Sequence, residues 1–427
     1  RTRDNVIRRE FDLAEGDAYN KALIARAERR LKNLGYFKTV KITTEPGSTS
    51  DRVVVNVEVE EQNTGDFSVG GGYSTSDGFI GEVSIGERNL LGSGLYVRAS
   101  GRFGEFTKGI ELSLTEPYLM GSRVSGGISL FAKQSSTSSF QSFGSETYGG
   151  TLTLGTPLTE QLGTQYRYSL YRQRITLDPA LTDCSATNPA PGCLANGEAS
   201  VPVKQAALAG AAWVSSIGYT LSYNTLDNVR NPTSGMRSDF RQDLAGLGGD
   251  VKFLKSTEDF RYYHEVAGDT VAMLRAQGGY VTPWGGQQLP LLNSFFGGPD
   301  LVRGFAVNGF GPRDITDGTS KDNIGGTRYW ATTAELRTPI PWIPPETGLR
   351  FSVFADAGSL WGFAGSGSTP ALSQSLKVAD SKTIRSSMGA GLIWDSPFGP
   401  MRVDYAYPTS KAAFDVTQRL RFSAWGF

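Results

Sequence analysis

The sequence has few of the residues that enzymes and metalloproteins depend on. Its 427 residues include one histidine, two cysteines and five methionines. A single histidine excludes mechanisms and metal sites that need two, and we find no serine–histidine–aspartate set, phosphate-binding loop or zinc-ligand spacing. We therefore expect no enzymatic activity, no cofactor and no metal site. His264 follows two tyrosines on a predicted strand, where it is expected to be a wall residue rather than a catalytic base.

An excess of charge and long apolar runs are also missing. The 42 Lys and Arg residues balance the 42 Asp and Glu residues, which argues against a nucleic-acid binder. Mean hydropathy is −0.26, and no apolar run reaches the ~18 residues that a membrane-spanning helix needs. A transmembrane β-barrel is compatible with such values, because its strands alternate lipid-facing apolar with lumen-facing polar residues. The 53 glycines and 11% aromatic residues favour many strands and tight turns.

The composition changes at the end of residues 1–62, which divides the chain into two parts. In this first part charge is dense, and an apolar stripe with helical spacing runs through residues 18–34. A shorter helix is expected at residues 3–11, and alternating strands at residues 37–44 and 52–60. The order helix, helix, strand, strand predicts a small α+β module. A further strand is expected before the first residue, so we interpret the chain as part of a longer protein.

Residues 66–427 alternate between apolar and polar side chains in about sixteen segments, the first near residues 67–73 and the last near 418–427. Short and long connections alternate, and outer-membrane barrels carry short turns at one end and long loops at the other. Tryptophans fall near predicted strand ends, as two interfacial aromatic belts require. We therefore predict a mostly β fold, a 16-stranded transmembrane antiparallel β-barrel. A large soluble all-β domain is the alternative, but it has no reason to sort its connections by length.

Alternation also assigns side chains to the two faces of the barrel wall. Glu335 and Asp356 fall on the inner face of consecutive predicted strands. The preceding long connection carries Arg303 between glycines that permit unusual backbone angles, so this loop can fold inward. Arg303 would then bridge the two carboxylates with several donors. The alternative is a solvated loop arginine and two ordinary lumen acids, and spacing alone leaves both open.

At this loop the sequence resembles a known family. Residues 302–305 read VRGF, which is similar to the loop-six signature of the BamA/TamA/FhaC superfamily of outer-membrane assembly and secretion barrels. Residues 1–62 resemble a POTRA module. Other segments that resemble the family, in part its BamA branch, are residues 88–94, 115–120, 231–235, 334–339, 354–358 and 387–400.

The resemblance implies an architecture and a location. Residues 66–427 would form a 16-stranded barrel in the outer membrane of a Gram-negative bacterium, and the POTRA module, residues 1–62, would lie in the periplasm. Loop six would tuck into the lumen as a structural latch rather than a catalytic group. The latch residues implied are Val302, Arg303, Gly304, Phe305, Glu335 and Asp356.

The resemblance further implies an outer-membrane protein insertase. Such a protein folds and inserts β-barrel clients by β-augmentation at a lateral seam between its first and last strands. The family's last strand is usually longer than FSAWGF, residues 422–427, and its facing pattern breaks here, which leaves the pairing of that strand open. The alternative is a POTRA-containing secretion pore or a TamA-like translocation barrel. The expected seam residues are Phe67, Val69, Gly70, Gly71, Gly72, Tyr73, Phe422, Trp425, Gly426 and Phe427.

The expected partners are unfolded outer-membrane β-barrel proteins, accessory BAM lipoproteins at the POTRA module, and outer-membrane lipids, with no nucleic acid. Cys184 and Cys193 lie in one long loop, and an even pair in an oxidising compartment predicts a local disulfide. Asp314, Asp317 and Asp322 have oxygens that suit calcium, but a solvated loop is the simpler interpretation.

Overall fold

A computed structural model describes residues 2–138, 140–178, 181, 199–229, 231–316, 322–365, 376–397 and 399–426. No helix in this part of the chain is both long and apolar enough to cross a membrane. The helices are α1 (Asp4–Arg8), α2 (Lys21–Leu34) and α3 (Val201–Ala209). The strands are β1 (Phe37–Pro46), β2 (Val53–Glu61), β3 (Gly65–Ser74), β4 (Gly78–Leu90), β5 (Leu95–Gly104), β6 (Thr107–Glu116), β7 (Ser125–Ser135), β8 (Phe143–Pro157), β9 (Leu162–Leu177), β10 (Ala212–Asn224), β11 (Gly235–Ala245), β12 (Phe253–Ala267), β13 (Thr270–Pro283), β14 (Arg313–Asp314), β15 (Arg328–Pro339), β16 (Leu349–Trp361), β17 (Val378–Ala379), β18 (Arg385–Ser396), β19 (Gly399–Ser410) and β20 (Leu420–Gly426).

Helices α1 and α2 and the antiparallel pair β1–β2 form the small module at the start of the chain. Helix α2 starts after Asn20, whose Oδ1 accepts a hydrogen bond from the backbone N–H of Ala22 at 2.9 Å. This bond satisfies a donor that the first helical turn leaves unpaired. The helix ends at Gly35, whose φ of +68° suits a glycine cap. The buried core of the module consists of Val6, Leu31, Tyr36, Phe37 and Val40.

Sixteen strands close into an antiparallel barrel, which confirms the predicted fold class. They are the strands from β3 to β20 without β14 and β17, which form a separate two-stranded sheet. Each strand pairs with the barrel strand before and after it in the chain, and the last strand, β20, pairs with the first, β3.

The barrel wall has an apolar outer face and a polar inner face, because successive side chains of a strand point to opposite sides. Ile110 and Leu112 are 60% and 48% exposed on the outer face, as lipid-facing side chains are without a bilayer around them. Glu335 and Asp356 are buried on the inner face.

The two ends of the barrel differ. One end, here called the long-loop end, carries the connections 178–211, 284–327 and 362–384. The opposite end, here called the short-turn end, carries turns such as 91–94 and 268–269. This is the sorting of connections that the sequence predicted, and it gives the barrel a direction across the membrane.

Helix α3, which the sequence did not indicate, lies at the long-loop end in the connection between β9 and β10. Its Val203 is fully buried in an apolar cluster with Ile175, Leu291 and Ile324. The cluster joins three separate segments of the long-loop end. The helix therefore covers part of this end of the barrel.

The small module rests against the short-turn end through a largely buried polar contact. Arg9 donates to the carboxylate of Glu116 at 3.1 Å, and its guanidinium lies 4.6 Å from the ring centre of Tyr118. The Tyr118 hydroxyl donates to Glu10 at 3.0 Å. The backbone N–H of Arg3 also donates to the carbonyl of Gly92 at 2.8 Å. These contacts fix the module relative to β4, β6 and their turns.

Candidate functional site

The long connection between β13 and β15 folds into the lumen instead of lying on the surface. Val302 and Phe305 are fully buried, and they pack in an apolar cluster with Phe310 of the same loop and Leu360 of the wall strand β16. Arg303, between them, is 8% exposed. The loop therefore carries a cation into the barrel interior, where the cation needs partners.

Arg303 finds these partners on two adjacent wall strands, β15 and β16. Its Nε donates to Oδ2 of Asp356 at 2.7 Å, and its Nη2 donates to Oδ1 at 2.8 Å. Its Nη1 donates to Oε2 of Glu335 at 2.7 Å. The backbone N–H of Arg303 also donates to Asp356, at 3.1 Å, and the guanidinium lies 3.4 Å from the ring centre of Phe354. The arginine is thus held by a bidentate pair, a second carboxylate and an aromatic face.

The two carboxylates do not have equal surroundings. Glu335 also accepts hydrogen bonds from Arg337 at 2.7 Å and from Arg402 at 3.0 Å. Among the described residues, Asp356 accepts hydrogen bonds only from Arg303. Neither Arg337 nor Arg402 was predicted to belong to this site. Alternation places Arg337 on the inner face, but nothing local indicates Arg402, which lies 67 residues after Glu335 in the chain.

Gly304 allows the loop to approach the wall closely. Its φ is +90°, a conformation that side chains with a Cβ rarely adopt. A Cβ at this position would lie 3.3 Å from the side chains of Ala406 and Pro408 on β19. The backbone angle therefore favours glycine in the VRGF segment, and the close wall leaves little room for a Cβ.

The infolded loop is also hydrogen-bonded to the segment that leads into the last strand. Backbone N–H groups of Ala306 and Val416 donate to the carbonyls of Val416 and Gly309, at 3.0 and 2.8 Å. The N–H of Gln418 donates to the carbonyl of Gly304 at 2.9 Å. On β20 itself, Arg421 donates to Asp300 of the loop at 3.0 Å. The sequence did not indicate this ladder, which connects the loop to the last strand.

The barrel closes through a short seam. Residues 71–74 of β3 pair with residues 423–426 of β20, which is four register pairs among the described residues, whereas β3 and β4 share ten. The carbonyl of Phe422 accepts one further hydrogen bond, from the N–H of Thr75 at 3.0 Å. The ring centres of Tyr73 and Phe422 lie 6.1 Å apart across the seam.

Not all expected seam residues are paired there. Phe67, Val69 and Gly70 are paired with β4, and no described residue of β20 pairs with them. Phe67 and Val69 are exposed on the outer face. Within the described residues, the edge of β3 therefore has no strand partner at the short-turn half of the seam. Phe427 lies outside the described residues.

Other candidate residues from the sequence do not join this site. Cys184, Cys193 and Asp317 lie outside the described residues. Asp314 is buried and Asp322 is half-buried, contrary to the expectation of a solvated loop. Their carboxylates accept hydrogen bonds from the N–H groups of Val201 and Ser200 at the start of α3, at 3.1 and 3.0 Å.

Within the part of the chain that the structure covers, no cluster of three or more His, Cys, Asp or Glu side chains is arranged to hold a metal ion. The ring of His264 stacks parallel to that of Tyr262, with centres 6.4 Å apart, on the wall strand β12.

Two family models match the chain. The model described as the Omp85 superfamily domain matches residues 89–424, and the POTRA model, described as a surface antigen variable number repeat, matches residues 1–62. The chain belongs to the Omp85 superfamily. Its module of α1, α2, β1 and β2 is the part that the POTRA model matches.

Several curated relatives of this Omp85 chain are named as outer membrane protein assembly factors. The chain is 31% identical over 425 residues to the outer membrane protein assembly factor BamA of Neorickettsia risticii, covering 99% of this chain and 53% of that protein. Identity to BamA of Neisseria meningitidis is 26%, with 99% and 54% covered. The chain thus spans about half the length of the curated relatives it matches. In fold it is similar to the crystal structure of BamA from Haemophilus ducreyi lacking POTRA domains 1–3, with TM-score 0.83, 24% identity, and 100% of this chain and 82% of that chain covered.

These relatives and the closed barrel make the chain a Gram-negative outer-membrane protein with a periplasmic POTRA module. The predicted family and location are confirmed. Because the POTRA module rests on the short-turn end, that end faces the periplasm and the long-loop end faces the outside.

Proposed function

We propose that this chain is the barrel and adjoining POTRA portion of an outer-membrane protein insertase, a non-enzymatic machine that folds and inserts β-barrel clients. The relatives named as outer membrane protein assembly factors support this proposal. The observation that carries the mechanism is the short seam, with its free edge on β3.

The free edge suits β-augmentation. An unpaired backbone group costs several kcal/mol in the bilayer, so the edge of β3 favours any strand that pairs with it. Gly70, Gly71 and Gly72 leave this edge open to an incoming backbone and weaken its packing against β20. A client strand would begin on residues 65–69, for which no described residue of β20 is a partner, and would extend toward the outside as it displaces β20. No chemical fuel is needed, because each step exchanges or adds backbone hydrogen bonds.

The latch of Val302, Arg303, Gly304 and Phe305 serves this mechanism as a structural element. The infolded loop that carries it forms the ladder to residues 416–418 and accepts the bond from Arg421 at Asp300, and these contacts hold the outer end of the last strand in place. The periplasmic end of β20 has no comparable contact among the described residues. We infer that the seam opens from the periplasmic side while the latch keeps the outer side closed.

The proposed partners follow from the same features. Unfolded outer-membrane β-barrel proteins are the clients, and outer-membrane lipids surround the apolar outer face. Accessory BAM lipoproteins would bind the POTRA module, whose strand β2 has β1 on one side and exposes Val53 and Val54. The alternative, a secretion pore or a TamA-like translocation barrel, is less favoured, because the infolded loop and the cluster under α3 occupy the outer end of the lumen.

A disulfide across the seam tests the proposal. Ser74 and Ser423 are direct register partners on β3 and β20, so S74C/S423C should join the two strands when oxidised. The matched control is S113C/S129C, since Ser113 and Ser129 are register partners on β6 and β7, away from the seam. Both variants are placed in liposomes with an unfolded barrel client, whose folding is followed by its heat-dependent gel mobility.

We expect oxidation to stop client folding by S74C/S423C but not by the control, and reduction to restore it. Equal client folding in the oxidised and reduced seam variant would exclude lateral opening. Ion conductance through the reduced protein without any client folding would instead favour the secretion pore.

A further inference from the structure

A row of three side chains on the outer face of the barrel combines one cation with two aromatic rings. Tyr148 on β8, Arg172 on β9 and Trp213 on β10 are direct register partners across three neighbouring strands. The outer-face positions along β9 identify the face, because Tyr166 and Leu170 share it and are exposed. An arginine on the lipid-facing side of a membrane barrel is costly unless it meets a polar layer or an anion.

The position of the row along the strand places it at the membrane boundary. On β10 the outer face runs from Tyr223 near the periplasmic turn to Trp213 near the outside, which is 223 − 213 = 10 residues. At about 3.3 Å per residue and a tilt of about 40°, this span is roughly 25 Å high, the height of the apolar band of such barrels. Tyr223 and Trp213 thus mark the two aromatic belts. Arg172 lies level with the outer belt, where lipid headgroups begin.

Arg172 has no anionic partner in the part of the chain that the structure describes. Its Nη1 donates to the Tyr148 hydroxyl at 2.6 Å, and its guanidinium lies 5.9 Å from the Tyr148 ring centre. Arg174, two residues on along the same face, donates instead to Glu146 at 2.7 Å. The neutral Tyr148 hydroxyl thus orients the Arg172 guanidinium. Because a guanidinium has five N–H donors, most of them remain available to an anionic acceptor.

The same row occurs a second time on the barrel. Tyr280 on β13, Arg328 on β15 and Trp361 on β16 are register partners at the outer ends of their strands. The Arg328 guanidinium lies 5.2 Å from the Tyr280 ring centre and has no ion pair within the described residues. The indole N–H of Trp361 is buried from solvent and has no acceptor among the described residues, and the ammonium of Lys382 lies 6.0 Å from its ring centre.

We propose that Arg172 and Arg328 each bind a phosphate group of an outer-leaflet lipid. A phosphate monoester offers acceptor oxygens in the geometry that a guanidinium fork matches. The tyrosine of each row orients the fork, and the tryptophan anchors the adjoining sugar or glycerol layer. Repetition of tyrosine, arginine and tryptophan in the same order on separate parts of the wall argues for a ligand that surrounds the barrel, as membrane lipid does.

Native mass spectrometry of the full chain, released from phosphatidylcholine nanodiscs that contain lipid A, tests the proposal. The variants are R172Q and R328Q, and the matched control is R174Q, because Arg174 already has a carboxylate partner. Heat-dependent gel mobility establishes that each variant is folded. Two further arms replace lipid A by its dephosphorylated form, or by inorganic phosphate added to the protein in detergent.

We expect lipid A to remain bound to the parent and to R174Q. Each of R172Q and R328Q should bind lipid A about fivefold more weakly at one site. This factor corresponds to about 1 kcal/mol, the contribution of one arginine near a membrane surface. Dephosphorylated lipid A should not be retained. A double variant, R172Q/R328Q, combines both changes. The proposal would be overturned if this double variant retained as much lipid A as the parent does. It would also be overturned if the parent retained dephosphorylated lipid A as well as lipid A. Adducts of inorganic phosphate that R172Q/R328Q lacks would assign the sites to a free anion instead of a lipid.

Discussion

Replacing Arg303 by methionine should affect its two carboxylate partners very differently. Asp356 is 3% exposed, and among the described residues its hydrogen bonds all come from Arg303. Glu335 is equally buried but keeps Arg337 and Arg402 after the substitution. R303M therefore leaves one isolated buried carboxylate, not two.

The magnitude follows from that difference. Removing one partner of a buried ion pair costs about 3–5 kcal/mol, mostly because the remaining charge stays buried and unpaired. Adding D356N removes that charge, so R303M/D356N should be destabilised by less than the sum of the single variants, with a coupling energy of about 2 kcal/mol or more. E335Q should show coupling to R303M below about 1 kcal/mol, because its main effect is to free Arg337 and Arg402.

Urea unfolding of the refolded barrel in detergent micelles measures these energies. The folded fraction is read from the heat-dependent gel mobility, and all single and double variants are compared with the parent. A coupling between positions 303 and 335 that equals or exceeds the coupling between positions 303 and 356 would refute this reasoning. It would mean that the three arginines around Glu335 share its charge less effectively than their distances indicate.

Two further predictions concern the loop and the POTRA contact. G304A should lose about 1–3 kcal/mol of stability, because φ is +90° and the new Cβ would meet Ala406. The control G163A should change stability little, because Gly163 has open space around it and no positive φ. Equal urea midpoints for the two variants would contradict this prediction. Burial raises the pKa of Glu10 at the contact with Tyr118. Since its pKa is higher in the folded state, the stabilisation is complete below about pH 4.3 and is lost as pH rises through the raised value. Amide hydrogen exchange at the contact between the POTRA module and the barrel should therefore become faster with rising pH by more than the intrinsic increase. E10Q should abolish this extra increase. If the pH profile of exchange is the same in E10Q as in the parent, Glu10 is excluded as its origin.

Local patterning explains how much of the architecture the sequence predicts. The period of two along each strand and the sorting of long and short connections indicate sixteen strands and their inner and outer faces. Glu335 and Asp356 appear on the inner face for the same reason. Helix α3 was missed because its segment, VPVKQAALA, is short and lacks an amphipathic stripe. Its position depends on the packing of its Val203 against Ile175, Leu291 and Ile324, and on the carboxylate acceptors of Asp314 and Asp322.

The sequence by itself determined what each strand presents to lipid and to the lumen, because the alternation of side chains is a property of the local backbone. Only the tertiary structure decided the register in which β20 pairs with β3, which arginines reach Glu335, and that residues 416–418 pair with the infolded loop. These contacts join segments that are distant in the chain. Their register depends on the closure of the whole barrel and on the stagger of its strands, which no local pattern encodes.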